Sequence, residues 1–218
     1  MSSQKKEHHS IVDNALGTNE GAGFEETLTS YLSAANAEIG DNIHLVLIDL
    51  DHFMEVNNKF GFDEGDHILI ETGKHLKKYA EENGGEFFRI SGDEFGIIFK
   101  GSMEKEDVFL LMEDMRKNYD QKTPDGANCT ICIGISTAFE NANRFQELFR
   151  MAESAMFRSK YNGRNKVALA KEEKMIPKTS HYTQDQLKRL TELAKREGVG
   201  EAILLREAMD MLLKKYDI

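Results

Sequence analysis

Tryptophan is absent from this 218-residue chain, and proline and cysteine each occur only twice. No run of about 18 consecutive apolar residues occurs, so the sequence offers no candidate for a membrane-spanning helix. The first ten residues are polar and lack the apolar core of a secretory signal peptide. We therefore expect a cytoplasmic protein without a membrane partner.

The two cysteines, Cys129 and Cys132, have a spacing that is compatible with a redox pair or a metal site. However, they lie in an apolar stretch with the pattern of a buried strand, where residues three apart point to opposite faces. Thiols on opposite faces neither pair nor chelate one ion, so we interpret both as core residues. The lack of a disulfide framework also fits a reducing compartment.

Basic side chains are fewer than acidic ones, 28 against 38, and the imbalance is unevenly distributed. Residues 171–218 carry a net charge of +1 and the rest of the chain carries −11, which together give the total of −10. An acidic surface repels the phosphates of a nucleic acid. Any DNA contact is therefore expected from the tail.

Composition changes near Ala170 and predicts two domains. The content of 40% hydrophobic and 30% charged residues is typical of a globular protein. We predict a mostly irregular polar leader, a main domain, a charged linker and a small domain, at residues 1–23, 24–170, 171–177 and 178–218.

The main domain alternates predicted helices and strands. Apolar periodicity predicts helices near residues 24–37, 63–82, 105–119 and 144–161, and strands near 43–50, 129–136 and 166–169. Two apolar runs within residues 88–99 flank a Ser-Gly-Asp-Glu turn and predict a β-hairpin. Because a hairpin excludes a purely parallel sheet, we predict an α+β fold, a mixed sheet with packed helices in a ferredoxin-like palm.

Carboxylates stand at the tip of this hairpin, at Asp93 and Glu94, and at the end of an upstream strand, at Asp49 and Asp51. Glycine and aspartate are ordinary residues of solvated turns, so turn composition alone leaves their role open. Carboxylates that two strand ends deliver to one place also form a good Mg²⁺ site for phosphate chemistry.

The tail pattern predicts one short strand and two helices. The strand is expected at residues 178–182, and a capping box from Thr183 to Gln186 opens the first helix. Gly198 ends that helix, and the second is expected at about residues 200–215. Elements of this size bury too little apolar surface alone, so we expect dimerisation to complete the core.

Three motifs in order give the main domain a resemblance to a known family. The stretch from Asp49 to Asp66, the Ser-Gly-Asp-Glu-Phe of residues 91–95 and the Gly-Arg-Asn-Lys-Val of residues 163–167 resemble the GGDEF family of diguanylate cyclases. The resemblance covers roughly residues 13–169. It implies a nucleotidyl-cyclase palm in which two GTP molecules, one in each of two facing protomers, condense into cyclic di-GMP with release of pyrophosphate.

The resemblance also implies metal-binding and catalytic residues. Asp49 and Asp93 would hold two Mg²⁺ ions, or Mn²⁺, with the Leu50 carbonyl as a backbone ligand. Glu94 would assist in deprotonating the attacking 3′-hydroxyl or complete the metal site. Asp51 would be structural and cap backbone amides.

Substrate-binding residues follow from the same resemblance. Asn57 and Asp66 would hydrogen-bond the guanine edge, because a carboxylate can accept from the N1 and N2 donors that adenine lacks. Lys160 and Arg164, expected one helical turn apart, would bind the triphosphate.

Several positions depart from the family pattern. Ser91 replaces the first signature glycine, Asn58 a customary aspartate and Phe62 a customary histidine. Met54 replaces a lysine, and the N-terminal motif beginning at Asp13 lacks its arginine. Each charge-assisted contact is worth roughly 1.5–3 kcal/mol, so two lost contacts would weaken GTP binding about a hundredfold or more. The usual inhibitory Arg-x-x-Asp reads Glu-Asn-Gly-Gly at residues 82–85, which implies that product inhibition by that route is absent.

The tail resembles a ribbon-helix-helix domain in residues 180–199 and 204–210. That fold dimerises through a two-stranded ribbon, one strand from each chain, which can enter the major groove of double-stranded DNA. The resemblance implies DNA contacts at Lys178, Thr179 and His181.

Backbone amides near Gly200 and Glu201, at the start of the second tail helix, would hold a phosphate. The alternative is a dimerisation device that never touches DNA.

Two functions follow. One is a diguanylate cyclase whose homodimer is formed by the tail, with DNA binding as an added property of that tail. The other is a ribbon-helix-helix transcription regulator whose catalytically weak GGDEF domain only binds GTP or cyclic di-GMP.

Overall fold

The computed structural model describes residues 11–18, 21–35, 41–171, 177–197 and 200–216. Its helices are α1 (helical at residues 11–16), α2 (Phe24–Ala35), α3 (Phe53–Phe60), α4 (Phe62–Glu82), α5 (Lys105–Lys117), α6 (Phe145–Tyr161), α7 (Gln184–Glu197) and α8 (Glu201–Lys215). Its strands are β1 (Asn42–Leu50), β2 (Gly85–Ser91), β3 (Glu94–Gly101), β4 (Ile131–Thr137) and β5 (Val167–Leu169). Two units contain these elements, Met1–Glu172 and Glu173–Ile218.

Strand β1 is the centre of the first unit. Val46 and Ile48 pack into the hydrophobic cluster on one face of the sheet, and Leu45 and Leu47 pack into the cluster on the other face. A strand covered on both faces needs apolar side chains at successive positions. This explains the continuous apolar run that predicted a buried strand here.

The five strands form one mixed sheet in the order β2-β3-β1-β4-β5. Strand β1 pairs antiparallel with β3 and β4, the hairpin strands β2 and β3 pair antiparallel, and β4 and β5 pair in parallel. The mixed sheet with packed helices confirms the predicted α+β palm.

Helices cover both faces of the sheet. Helices α4 and α5 contribute to one cluster, and α2 and α6 to the other. Gly134 in β4 allows α6 to approach closely, because a Cβ atom there would lie 2.0 Å from the Ala152 carbonyl oxygen and 2.5 Å from the Met156 nitrogen. The close approach brings the C-terminal end of α6 towards β1.

The N-terminal segment differs from the predicted irregular leader. Residues 11–16 are helical, and Val12 and Leu16 are buried in the core. Asp13 also accepts a hydrogen bond of 2.7 Å from Arg89, whose side chain is only 2% exposed. The Arg89 guanidinium in turn donates to the Gly92 carbonyl at 3.1 Å. This segment is therefore part of the folded domain and is tied to the β2–β3 hairpin.

The predicted positions of both cysteines in the core are confirmed. Cys129 and Cys132 are free and buried, and they belong to the clusters on opposite sides of the sheet. Burial raises the pKa of the Cys132 thiol to about 12 and also raises that of Cys129. Both thiols therefore stay protonated at neutral pH.

The second unit contains the two predicted tail helices. The Thr183 amide donates to Gln186 Oε1 at 2.9 Å and the Gln186 amide donates to Thr183 Oγ1 at 3.2 Å, which confirms the capping box. Residues 177–183 have no strand in the single chain. A lone segment has no neighbour with which to form a ladder, so the expected ribbon requires a second chain.

Within the described residues, none of the helices has the length and apolar character required to cross a membrane.

Candidate functional site

The carboxylates predicted from two separate segments lie together at one edge of the sheet. Antiparallel pairing of β1 with β3 places Asp49 opposite Glu94. The Leu50 amide donates to the Asp93 carbonyl at 3.4 Å, so the turn between β2 and β3 contacts the end of β1. The sheet therefore collects the acidic ends of β1 and β3 at one place.

Lys160, in the last turn of α6, reaches this edge. Its Nζ lies 2.7 Å from Asp49 Oδ1, and the two side chains are only 20% and 7% exposed. Burial raises the pKa of Asp49 to about 7, with Asp93 and Glu94 adding to the rise and Lys160 opposing it. The protein alone thus compensates the charge of this carboxylate only in part.

Glu94 has a hydrogen-bond partner that was not predicted from the sequence. The Ser91 hydroxyl donates to Glu94 Oε2 at 2.8 Å. The serine that replaces the first signature glycine therefore adds a contact that a glycine cannot make, and this contact orients a proposed catalytic carboxylate.

Asp51 is a buried carboxylate beside the site. Its Oδ2 accepts from Thr130 Oγ1 at 2.7 Å and from the Asn165 amide at 3.0 Å, which agrees with a structural, amide-capping role. Its Oδ1 lies 4.0 Å from Arg164 Nε. The expected helical spacing of Lys160 and Arg164 is wrong, because α6 ends at Tyr161 and Arg164 lies in the following turn with φ of 56°. Both cations nevertheless face carboxylates at the end of β1.

The two residues expected to bind guanine come from adjacent helices. Asn57 is in α3, and Asp66 follows Gly65 in α4. A Cβ atom on Gly65 would lie 1.9 Å from Asn57 Oδ1, so glycine leaves room for the amide there. Within the described residues, the buried Asn57 Oδ1 has no hydrogen-bond partner. An unsatisfied acceptor of this type suits a ligand that offers N–H donors.

In the tail, the predicted DNA-contacting residues Lys178, Thr179 and His181 are all exposed. Helix α8 begins at Glu201, and the Gly200 carbonyl accepts from the Leu204 amide at 3.4 Å, so the predicted amides do lie at a helix N-terminus.

A family model described as "Diguanylate cyclase, GGDEF domain" matches residues 12–166. The chain belongs to the GGDEF family. The matched range includes strands β1 to β4, helices α2 to α6 and all the site residues predicted in the main domain. A second model, described as "Ribbon-helix-helix domain", matches residues 176–217, which include α7 and α8.

The chain is also similar to individual proteins and solved structures. Diguanylate cyclase A of Treponema denticola is 30% identical over 145 residues, which are 65% of this chain and 38% of that protein. The GGDEF domain of YfiN (TpbB) from Pseudomonas aeruginosa has a TM-score of 0.66 and 24% identity, and the match covers 72% of this chain and 99% of that chain. The GGDEF domain of DgcB from Caulobacter crescentus, in complex with c-di-GMP, has a TM-score of 0.62 and 22% identity over 70% and 91% of the two chains. The solved structures establish the shared fold, and the chain spans less than half the length of the Treponema protein.

The carboxylates of this GGDEF domain are compatible with a small metal site whose remaining ligands come from outside the protein. Within the described ranges, no group of three or more His, Cys, Asp or Glu side chains is arranged to hold a metal ion. The predicted set is smaller, with Asp49, Asp93 and the Leu50 carbonyl. Mg²⁺ commonly takes one or two protein carboxylates and completes its shell with water and substrate phosphates. The buried, incompletely compensated Asp49 carboxylate is of the type that a divalent cation neutralises.

Two residues of the GGDEF site, Thr130 and Arg116, were not predicted from the sequence. Thr130 contacts Asp51, which lies 79 residues away along the chain, and Arg116 contacts Asn165, which lies 49 residues away. Neither residue stands in a motif, and local spacing carries no signal for contacts at such separations.

Proposed function

We propose that this protein is a diguanylate cyclase that condenses two GTP molecules into cyclic di-GMP across a homodimer. The observation that carries the proposal is the convergence of Asp49 and Glu94 with the Asp93 turn and Lys160 at one sheet edge, in a chain of the GGDEF family. The chain supplies one half-site, and the second GTP is held by the other protomer.

The proposed chemistry uses these groups in defined roles. Asp49, Asp93 and the Leu50 carbonyl would hold two Mg²⁺ or Mn²⁺ ions, which would supply neutralisation of the charge on the α-phosphate and a lower pKa of the attacking hydroxyl. Glu94, oriented by Ser91, accepts the proton of the 3′-hydroxyl. The hydroxyl oxygen bonds to the α-phosphorus of the second GTP as the bond from that phosphorus to the β-phosphate oxygen breaks and releases pyrophosphate. The same step in the opposite direction closes the ring and releases the second pyrophosphate.

Nucleotide binding is proposed at two further sets of residues. Asn57 and Asp66 hydrogen-bond guanine, which the unsatisfied Asn57 Oδ1 supports. Lys160 and Arg164 bind the triphosphate, and their position beside the carboxylates of β1 supports this role. Phosphate oxygens would compete with Asp49 for Lys160 when GTP enters.

The tail is proposed to form the dimer and to bind double-stranded DNA. Exposed apolar side chains on α7 and α8 support dimerisation, and they include Leu187, Leu205, Met209, Leu212 and Leu213. The ribbon would present Lys178, Thr179 and His181 to the major groove. Enrichment of one sequence from a random duplex pool would support this role, whereas a pool without enrichment would leave dimerisation as the function of the tail.

Incubation of the purified protein with GTP and Mg²⁺ tests the cyclase proposal. We expect pyrophosphate and cyclic di-GMP, and a loss of about 10²–10³-fold or more in rate for Asp93→Ala. Asp63→Ala, which removes an exposed carboxylate from the first turn of α4, is the matched control and should leave the rate unchanged.

One observation favours the second candidate, a GGDEF domain that binds GTP or cyclic di-GMP without turnover and regulates the tail. Met54, at the position of the customary lysine, is 74% exposed and offers no charge to the triphosphate. Retained nucleotide binding by the wild-type protein without pyrophosphate release would replace the cyclase proposal by this one.

A further inference from the structure

The turn after α6 has an unusual backbone. Gly163, Arg164 and Asn165 have φ angles of 99°, 56° and 48°, so three successive residues lie in the left-handed region. A side chain with a Cβ atom rarely adopts this conformation, and here two of the three residues are not glycine. Such backbone persists only where the surrounding structure holds it in place.

The first group that holds this turn is the carboxylate of Asp51. Its Oδ2 accepts from the Asn165 amide at 3.0 Å, and Thr130 Oγ1 holds the same oxygen at 2.7 Å. The Asp51 side chain is 1% exposed, so water offers the amide little competition. The Arg164 amide donates to the Ser159 carbonyl at 3.0 Å, which secures the preceding residue to the end of α6.

The second group comes from α5. Arg116 Nη1 donates to the side-chain oxygen of Asn165 at 2.8 Å. Glu113 orients this guanidinium through a hydrogen bond of 2.8 Å from Arg116 Nη2, and it also accepts from the Val167 amide at 3.4 Å. Asn165 is therefore held at its backbone by Asp51 and at its side chain by Arg116, from two different elements.

We propose that Asp51 and Arg116 are positioning residues which hold the left-handed turn so that Arg164 faces the phosphates of the bound nucleotide. Arg164 Nε lies 4.0 Å from Asp51 Oδ1, beside the Lys160–Asp49 pair. A relaxed turn would leave a long cationic side chain on a mobile segment, and binding would then cost the entropy of ordering it. The proposal rests on the proposed function, because it concerns the same nucleotide site.

Hydrogen exchange tests the hold on the turn without any nucleotide. Arg116→Met keeps an unbranched side chain but removes the guanidinium and its hydrogen bonds. We expect at least about tenfold faster exchange for a peptide that covers residues 162–167, because the Asn165 amide loses protection when the turn relaxes. Lys117→Met is the matched control, since Lys117 also pairs with Glu113, at 3.6 Å, but is 66% exposed and lies outside the Asn165 contact. Equal exchange in the two variants would overturn the proposal.

GTP binding tests the consequence. We expect Arg116→Met to raise the KM for GTP about tenfold with kcat changed less than twofold, and Lys117→Met to change neither. If Arg116 acts through Arg164, then the double variant Arg116→Met/Arg164→Ala should have a KM for GTP less than about twofold above that of Arg164→Ala alone. If Arg116 acted independently of Arg164, the increases in KM caused by the two substitutions would multiply in the double variant, and that result would overturn the proposal.

GTP binding by the wild-type protein distinguishes failure of the proposed function from failure of the positioning role. Absence of GTP binding by the wild type would overturn the proposed function together with the positioning role. Wild-type binding with an unaltered KM in Arg116→Met would overturn the positioning role alone.

Discussion

The two units of this chain differ in how completely they bury their apolar side chains. Among the described residues, fourteen large apolar side chains are exposed, six in the GGDEF unit and eight in the tail. The GGDEF unit nevertheless has about four times as many described residues. Ala194 is the one hydrophobic residue of the described tail that is buried in the single chain. The GGDEF unit thus completes its core within one chain, whereas the tail does not.

The GGDEF unit also contains a buried ion pair. In the GGDEF unit, the Arg89–Asp13 pair has side chains that are 2% and 17% exposed. In the tail, the side chains of the Arg189–Asp185 pair are 77% and 76% exposed. The exposed apolar side chains support the proposal that the tail is stabilised by association, and its folding would then depend on protein concentration.

The largest expected effect comes from separating the two units. Deletion of residues 175–218 should give a folded monomer, because the GGDEF core is complete within one chain. Catalysis needs two half-sites, and loss of the tail removes their high effective concentration. We expect activity at micromolar protein to fall by about 10²–10⁴-fold. Sedimentation gives the oligomeric state, and cyclic di-GMP formation gives the rate.

Concentration dependence provides the control for this deletion. Since the site itself is intact, the rate of the truncated protein should rise with the square of its concentration. A truncated chain that still dimerises in solution would show that the dimer interface lies outside the tail.

A smaller effect is expected from single charges placed on exposed leucines of the two units. Leu212 in α8 is 49% exposed and Leu110 in α5 is 65% exposed. Leu212→Glu would place a charge in the proposed dimer interface and should raise the dimer dissociation constant at least about thirtyfold. Leu110→Glu should leave it unchanged. Analytical ultracentrifugation across a dilution series distinguishes them, and equal constants for the two variants would remove α8 from the interface.

The elements of the GGDEF unit that could be predicted from sequence are those with a strong local pattern. Strand β1 was expected at residues 43–50 and lies at Asn42–Leu50, and α4 was expected at 63–82 and lies at Phe62–Glu82. Helix α3 was missed because its eight residues are too few for a clear apolar periodicity, and none of them is fully buried. The helical part of the leader was missed because only Val12 and Leu16 mark its buried face.

Predictability of the site follows the same division. The carboxylates stand in motifs, and their strand-end positions could be inferred from the sequence. The left-handed turn at Arg164 could not, because non-glycine residues give no sign of a positive φ. The direct contact of Lys160 with Asp49 depends on the close approach of α6 to Gly134, which joins segments far apart in sequence. The ribbon expected for the tail would require a second chain and cannot form in one.

The smallest expected effect concerns one charged group in each unit and its dependence on pH. A hydrogen bond from Arg116 holds the pKa of Glu113 below its ordinary value of 4.5. A lowered pKa means that the carboxylate stabilises the folded state above about pH 4.5, and that this stabilisation is lost as pH falls below it. Glu113→Gln should therefore lower the free energy of unfolding by about 1 kcal/mol or less at pH 7 and by a smaller amount near pH 3, where more of the carboxylate is protonated. Asp185→Asn, in the exposed tail pair, should change it by less than about 0.5 kcal/mol at either pH. Urea unfolding at one protein concentration measures both, and an equal loss at pH 7 in the two variants would contradict the contrast between the units.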